Sequence, residues 1–341
     1  MKNKINLGII GKNFGYNVIY KSFLKNKNFR ILGFSFKSAN VDKIKIAKNI
    51  KIYLDWRKLI LNERIDAIVI ATPPRLHKNI IEFGIKHNKH IFCEKPFTRS
   101  SKEADYICKL VEKKKNLSHM VNYEFTEIDA FRFFKNKVLK KKIKINKIDL
   151  NWFVNIKKRP KYSWKEDHKT GGGIMFNYVC HAIYYLEFLF GKIISTKSNI
   201  FFGKTNNLNS DLNFQSGLSA KLRVISSFET RVKPIHKLKI ACDKNIYLLK
   251  SEVNSLFNQF ELIKIKKSSK KNLNKAKFLF KKKNSNIDFR VKPTFHNSKK
   301  FSTWILKNKI QKSNFFDAKR IHLIIDKILL SSKKRKKIFI N

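Results

Sequence analysis

Short apolar runs alternate with helical patterns through the first 122 residues, and this rhythm constrains the fold more than any other feature of the chain. "INLGII" (5–10) reads as a buried strand, "YNVIYKSFLKN" (16–26) as a helix, "FRILGFSF" (29–36) as a second strand and "DAIVIA" (66–71) as a third. Helix "RLHKNIIEFGIKHN" (75–88), strand "HIFCE" (90–94), helix "SSKEADYICKLVEKK" (100–114) with Ser100 or Ser101 as its cap, and strand "LSHMVNY" (117–123) complete the series. Continuous apolar strands separated by helices need crossover connections. They therefore pair in parallel, as a doubly wound sheet with helices on both faces.

The rhythm changes after Tyr123. A helix over 127–141 leads into longer alternating stretches at 147–156, 214–229 and 236–250, which read as strands of a mostly antiparallel, open sheet. The expectation is an α/β first domain over 1–122 and an α+β second domain over 123–341. A closing helix over 317–332 buries Ile321, Ile324, Ile325 and Ile328. The Lys/Asn/Ser-rich segment 264–300 reads as a loop between weak strands, and no internal repeat is visible.

Hydrophobic residues make up 43% of the 341, enough for real cores and too many for a disordered chain. The apolar run Leu7–Ile10 is too short for a signal-peptide core, and Glu187 and Lys192 interrupt the longest apolar stretch. The expectation is a soluble, cytoplasmic protein without a membrane partner. Cys93, Cys108, Cys180 and Cys242 form no C-x-x-C pair, so no metal site is expected and the thiols read as reduced and buried. The formal charge of +52 suggests a polyanion partner when taken alone. The excess is spread along the chain and travels with many Asn, Ile and Phe, the mixture an AT-rich genome writes into any protein. Specific nucleic-acid recognition is not expected.

The turn "GIIGKNFGYNV" follows the first strand and opens the first helix. In a doubly wound sheet this is where a pyrophosphate sits, because glycines admit the backbone and a helix N-terminus supplies N–H donors. Gly11, Asn13, Phe14 and Gly15 are the candidate lining. Asn13 replaces the middle glycine of G-x-G-x-x-G, and Asn tolerates a left-handed backbone better than most residues. At the tip of the second strand, where an acid usually holds a ribose hydroxyl, the chain offers Lys37 and Ser38. A cation and a hydroxyl suit a 2′-phosphate, so NADP is preferred to NAD as the cofactor.

The block "ATPPRLHKNIIEFGIKHNKHIFCEKPFTRSSKEAD" (71–105), with its Ala71–Pro74, His77, Lys89-His90, Glu94-Lys95-Pro96 and Glu103-Ala104, is followed by "GGGIMFNYVCHAIYYLEFLFG" (171–191). Together these resemble the glucose-fructose oxidoreductase/inositol dehydrogenase (Gfo/Idh/MocA) family over essentially the whole chain. The resemblance implies a Rossmann domain followed by an α+β domain, and an NAD(P)-dependent dehydrogenase or reductase acting on the CH–OH group of a sugar, amino sugar, nucleotide-sugar or cyclitol. It implies a cofactor site that includes Thr72, Pro73, Pro74, His77, Glu94 and Lys95. It also implies homo-oligomers, dimer or tetramer, through the open face of the second-domain sheet.

Moving a hydride to or from a carbinol carbon needs a group that handles the hydroxyl proton and a cation that steadies charge on oxygen. His181 is the candidate acid/base and Lys95 the cation, which the resemblance implies faces nicotinamide and substrate, with Pro96 fixing its turn; Asn177 shares a helix face with His181. Trp164, Lys165 and Asp167 are near the glycines by position alone. Asn177 stands where many members of the family have Asp, and Tyr184 where many have a later Asp. Asn accepts no proton. The alternative reading is therefore a non-catalytic cofactor-binding sensor or partner protein of the same fold.

Overall fold

The computed structural model describes residues 4–36, 46–156, 165, 167, 170–227, 233–252, 260–267, 276–281 and 288–340. The chain divides into two compact units. One comprises Met1–Glu124, Lys169–Gly171 and Arg290–His322, and the other Phe125–His168, Gly172–Phe289 and Leu323–Asn341.

In the first unit, strand β1 (Ile5–Ile10) is followed by helix α1, whose wide first segment Gly15–Tyr20 continues as Lys21–Leu24. Next come β2 (Phe29–Ser35), β3 (Lys51–Tyr53), α2 (Trp56–Ile60), β4 (Ala67–Ile70), α3 (His77–Lys86), β5 (His90–Cys93), α4 (Ser101–Glu112) and β6 (His119–Val121). The strands are all parallel, in the order β3-β2-β1-β4-β5-β6. The chain winds outward from β1 to β3, then returns to the other side of β1. The switch of direction falls between β1 and β4, where such sheets open a crevice at their carboxyl ends.

Local chemistry explains the boundaries. Ser100 caps α4 by accepting the Glu103 amide at 3.3 Å, and the Glu103 carboxylate accepts the Arg99 amide at 3.0 Å in return. Asp55 caps α2, accepting the Arg57 amide at 3.0 Å. β3 and α2 went unread in the sequence, since three and five residues are too short to establish a period.

The first unit also takes in α7 (Val291–Lys307), which the sequence reading assigned to the second domain. The reason is apolar: Phe301 is fully buried, its ring 6.0 Å from Phe29 and 5.6 Å from Phe92. Polar contacts tie the helix to the loop after α1, where Asn26 donates to Ser298 at 3.0 Å and Asn28 to Ser302 at 3.0 Å.

The second unit carries α5 (Asp129–Phe133, continued by Phe134–Val138), β7 (Ile145–Asn155) and α6, whose wide turn Met175–Val179 leads into Cys180–Phe190. Its further strands are β8 (Ile193–Phe201), β9 (Thr205–Phe214), β10 (Ser219–Ser227), β11 (Ile235–Cys242), β12 (Asn245–Ser251), β13 (Glu261–Lys266), β14 (Ala276–Phe280) and β15 (Ile338–Phe339). The described sheet runs β14-β13-β12-β11-β7-β10-β9-β8-β15, with only the β7–β10 pair parallel. The stretches 214–229 and 236–250, read as single strands, are broken by turns. The first contains the end of β9, a turn with Gly217 at φ +82°, and β10; the second is the hairpin β11–β12, reversed at Asp243. Along β7, Ile148, Leu150, Trp152 and Val154 are buried while Asp149, Asn151 and Phe153 alternate on the more open face. The terminal helix α8 (Phe315–Lys334) buries Ile321, Ile324, Ile325 and Ile328 as its pattern requires.

Candidate cofactor and active site

The carboxyl ends of β1, β4 and β5 lie side by side, because Ile10 pairs with Ile70 and Ile70 with Cys93. The residues that follow those partners are Gly11, Ala71 and Glu94. Gly11 has φ +125°, and a Cβ there would stand 2.3 Å from the Ala71 carbonyl oxygen, so the turn requires glycine. Gly15 is less constrained, since a Cβ would meet only side chains at 3.5 Å and beyond. Asn13 is exposed and already helical rather than left-handed, so its place in the turn is the opening of α1 and not a glycine substitute. Phe14, half-buried, lies under the Arg290 guanidinium at 4.9 Å.

Lys95, half-buried, leaves the end of β5, and its peptide bond to Pro96 is cis. His77 ties this turn to the one after β4. Its Nε2 lies 2.8 Å from the Thr72 carbonyl oxygen, and its Nδ1 lies 3.0 Å from that of Pro96 and 3.2 Å from that of Phe97. Burial lowers its pKa, so the ring is neutral and at most one nitrogen donates. The Cys93 thiol, 3.4 Å from Nδ1, supplies a further hydrogen for the other tautomer. Pro73 is half-buried and Pro74 buried, the latter opening the short turn into α3. Gly171, the first of the three glycines, has φ +87°, and a Cβ there would stand 2.9 Å from the Pro74 side chain.

Glu94 is buried, and its Oε1 accepts a hydrogen bond of 2.6 Å from Asn122 Nδ2. Burial, aided by the negative charge of Glu124, pushes its pKa up to about 8, against the opposing effects of the Asn122 hydrogen bond, Lys95 and Arg290. Asn122, Glu124, Arg290, Thr294 and Asn297 are additions to the sequence-derived set. Asn122 directly follows the last parallel strand, a position that signals a crevice residue; Arg290 to Asn297 stand in a Lys/Asn-rich region with no such signal.

In the second unit, Asn177 and His181 sit on α6. The Asn177 amide donates to the Lys165 carbonyl, and Gly173 N donates to the same oxygen at 2.9 Å. His181 is buried, its ring 4.8 Å from Phe125 and 6.4 Å from Trp152. Asp167 is exposed and its carbonyl accepts the Gly172 amide at 2.8 Å. Tyr184 is buried. Lys37, Ser38 and Trp164 lie outside the described residues.

The residues at the strand ends fit a dinucleotide. The turn at Gly11 exists only with glycine, the helix it opens presents its first-turn amides, and the buried Thr72 hydroxyl has no hydrogen-bond partner among the described residues. Among the described residues no His/Cys/Asp/Glu cluster fit for a metal is present, and no helix is long and apolar enough to cross a membrane.

A parallel sheet with this switch point and a glycine turn at the neighbouring strand ends defines a doubly wound fold of the dinucleotide-binding kind. The chain belongs to the Gfo/Idh/MocA oxidoreductase family: residues 5–123 match its NAD-binding Rossmann fold and residues 136–215 its C-terminal α/β domain, together more than half of the chain. An uncharacterised oxidoreductase of Synechocystis is 26% identical over 153 residues, 43% of this chain and 40% of that protein. Levoglucosan dehydrogenase of Pseudarthrobacter phenanthrenivorans is 36% identical over 84 residues, 25% of this chain and 21% of that protein. The aligned stretches thus span less than half of these curated relatives. A solved levoglucosan dehydrogenase in complex with NADH shares the fold over 99% of this chain and all of that one, with TM-score 0.82 and 17% identity.

Proposed function

We propose that this protein is an NAD(P)-dependent dehydrogenase or reductase that acts on a carbinol carbon of a sugar-like polyol. The observation that carries the reading is the row of strand ends in which Gly11 turns against Ala71 while Lys95 leaves the end of the strand beyond. A bound nicotinamide supplies the hydride chemistry, which no side chain can. Gly11, Phe14 and Gly15 line the place for its pyrophosphate, with Thr72, Pro73, Pro74 and Glu94 along the neighbouring ends. Lys95 offsets negative charge on the substrate oxygen, His181 holds or takes the hydroxyl proton, and Asn177 orients a hydroxyl. His77 acts by fixing the turns that carry Thr72 and Lys95.

The relatives named for levoglucosan support a polyol substrate, and Lys37 with Ser38 supports NADP over NAD. Assembly into dimers or tetramers through the second-unit sheet belongs to the same proposal. A cofactor-binding protein without turnover is the second reading, favoured by Asn177, which stands where an acid would be needed and gives an amide hydrogen to the Lys165 carbonyl. Fluorescence titration with NADPH and NADH, followed by a turnover screen on levoglucosan and inositols, separates the readings. Tight binding with turnover supports the enzyme, binding without turnover the second reading, and no binding at moderate salt overturns both.

A further inference from the structure

Three residues of the segment that opens α7 are directed at the ends of β5 and β6. Arg290 covers the Phe14 ring at 4.9 Å and acts electrostatically on Glu94. Thr294 and Asn297, four and seven residues on, share its helix face. Thr294 Oγ1 accepts from Asn122 Nδ2 at 3.1 Å, and Asn297 Nδ2 donates to Asn122 Oδ1 at 2.9 Å. The second hydrogen of Asn122 Nδ2 goes to Glu94. Asn122, Thr294 and Asn297 are all buried. Both donors and the acceptor of Asn122 are therefore committed, and one amide orientation satisfies them together.

A packing role at this point would be served by an apolar side chain. A chain of buried amides and a hydroxyl ending on one carboxyl specifies a direction instead. We infer that Asn122 is a positioning residue for the Glu94–Lys95 turn: held by Thr294 and Asn297, it fixes the Glu94 carboxyl and, through it, the charge that Lys95 presents to a bound dinucleotide. The inference rests on the dinucleotide-binding reading above. The charged and titratable groups that act on Glu94 among the described residues are Glu124, Lys95 and Arg290, and the neighbouring Cys93 thiol interacts with it in turn. With Glu94 protonated, Glu94 no longer offsets the charge of Lys95 and an anionic dinucleotide is favoured. With Glu94 ionised, the two charges offset one another. By linkage, dinucleotide binding raises the proton affinity of Glu94.

The test is a carboxyl-carbon NMR titration of the full chain labelled at glutamate, with and without NADH, the Glu94 signal being the one lost in Glu94→Gln. Asn122→Leu removes a hydrogen bond that favours the ionised form, so the Glu94 midpoint moves up by about one pH unit, a tenfold gain in proton affinity. Thr294→Val moves it in the same direction by less, and carries the test alone if Asn122→Leu does not fold. NADH raises the midpoint in the wild type. Midpoints unchanged in the folded variants, or unmoved by NADH that is shown to bind, overturn the inference and leave the cofactor reading standing. Absence of NADH binding by the wild type overturns the cofactor reading and, with it, the role assigned to Asn122.

Discussion

Gly11 lies against Ala71 so closely that a methyl group on Gly11 would stand 2.3 Å from the Ala71 carbonyl oxygen, and its φ of +125° is one that L-residues rarely adopt. Gly11→Ala is therefore expected to cost roughly 2–4 kcal/mol of stability and to abolish dinucleotide binding. Gly15→Ala meets only ordinary contacts and should unfold within about 1 kcal/mol of the wild type. Denaturant unfolding of the two variants side by side checks this, and a reversed order would contradict the geometry of the turn.

Lys95 is half-buried at a strand end, so its removal should touch chemistry more than folding. Lys95→Ala is expected to lower kcat by about 100-fold or more with a nearly unchanged melting temperature. Steady-state kinetics beside a thermal melt would show it. A large fall in melting temperature at unchanged kcat would make Lys95 a structural residue.

Phe301 fills the space between Phe29 and Phe92, and Phe301→Ala leaves a cavity there. The expected loss is about 3–5 kcal/mol, read by denaturant unfolding. Hydrogen exchange should show the loosening concentrated in α1, β2 and β5, the elements that α7 covers. Loosening centred on β7 to β14 instead would show that the helix serves the second unit.

Acid should destabilise the protein through its buried histidines. Burial lowers the pKa of His119 and His322 to about 4 and of His236 to about 3. Their folded values lie below the unfolded value near 6.5, so stability is complete above that pH and is lost as the pH falls toward 4. Unfolding there takes up one proton at each of these three rings, about 1.4 kcal/mol per pH unit apiece once the unfolded histidine is fully charged, against the proton that Glu94 releases. Denaturant titrations between pH 7 and 4.5 measure it, and His322→Gln should lower the slope by about 1.4 kcal/mol per pH unit.

Much of the first unit is legible because its central strands are largely buried and its helices one-sided. β1 begins and ends where "INLGII" does, and of the two serines that could cap α4 the structure uses Ser100. The long stretches of the second unit misled because a period of two continues unbroken through a tight turn, so the hairpin at Asp243 looked like one strand. At the strand ends, Gly11 and Lys95 announce themselves by residue type in a place that explains them. Asn297 does not: nothing in "KPTFHNSKK" says that one of many asparagines meets Asn122, 175 positions earlier. Such pairings are made by the fold, and only the ends of strands advertise them in advance.

The return of α7 to the first sheet also has a consequence for synthesis. When residues 1–124 have left the ribosome, the patch between Phe29 and Phe92 is still bare, and it stays so until Phe301 has been made. A nascent chain must carry this exposed aromatic surface through the translation of more than 150 further residues, a window in which chaperones and aggregation compete for it.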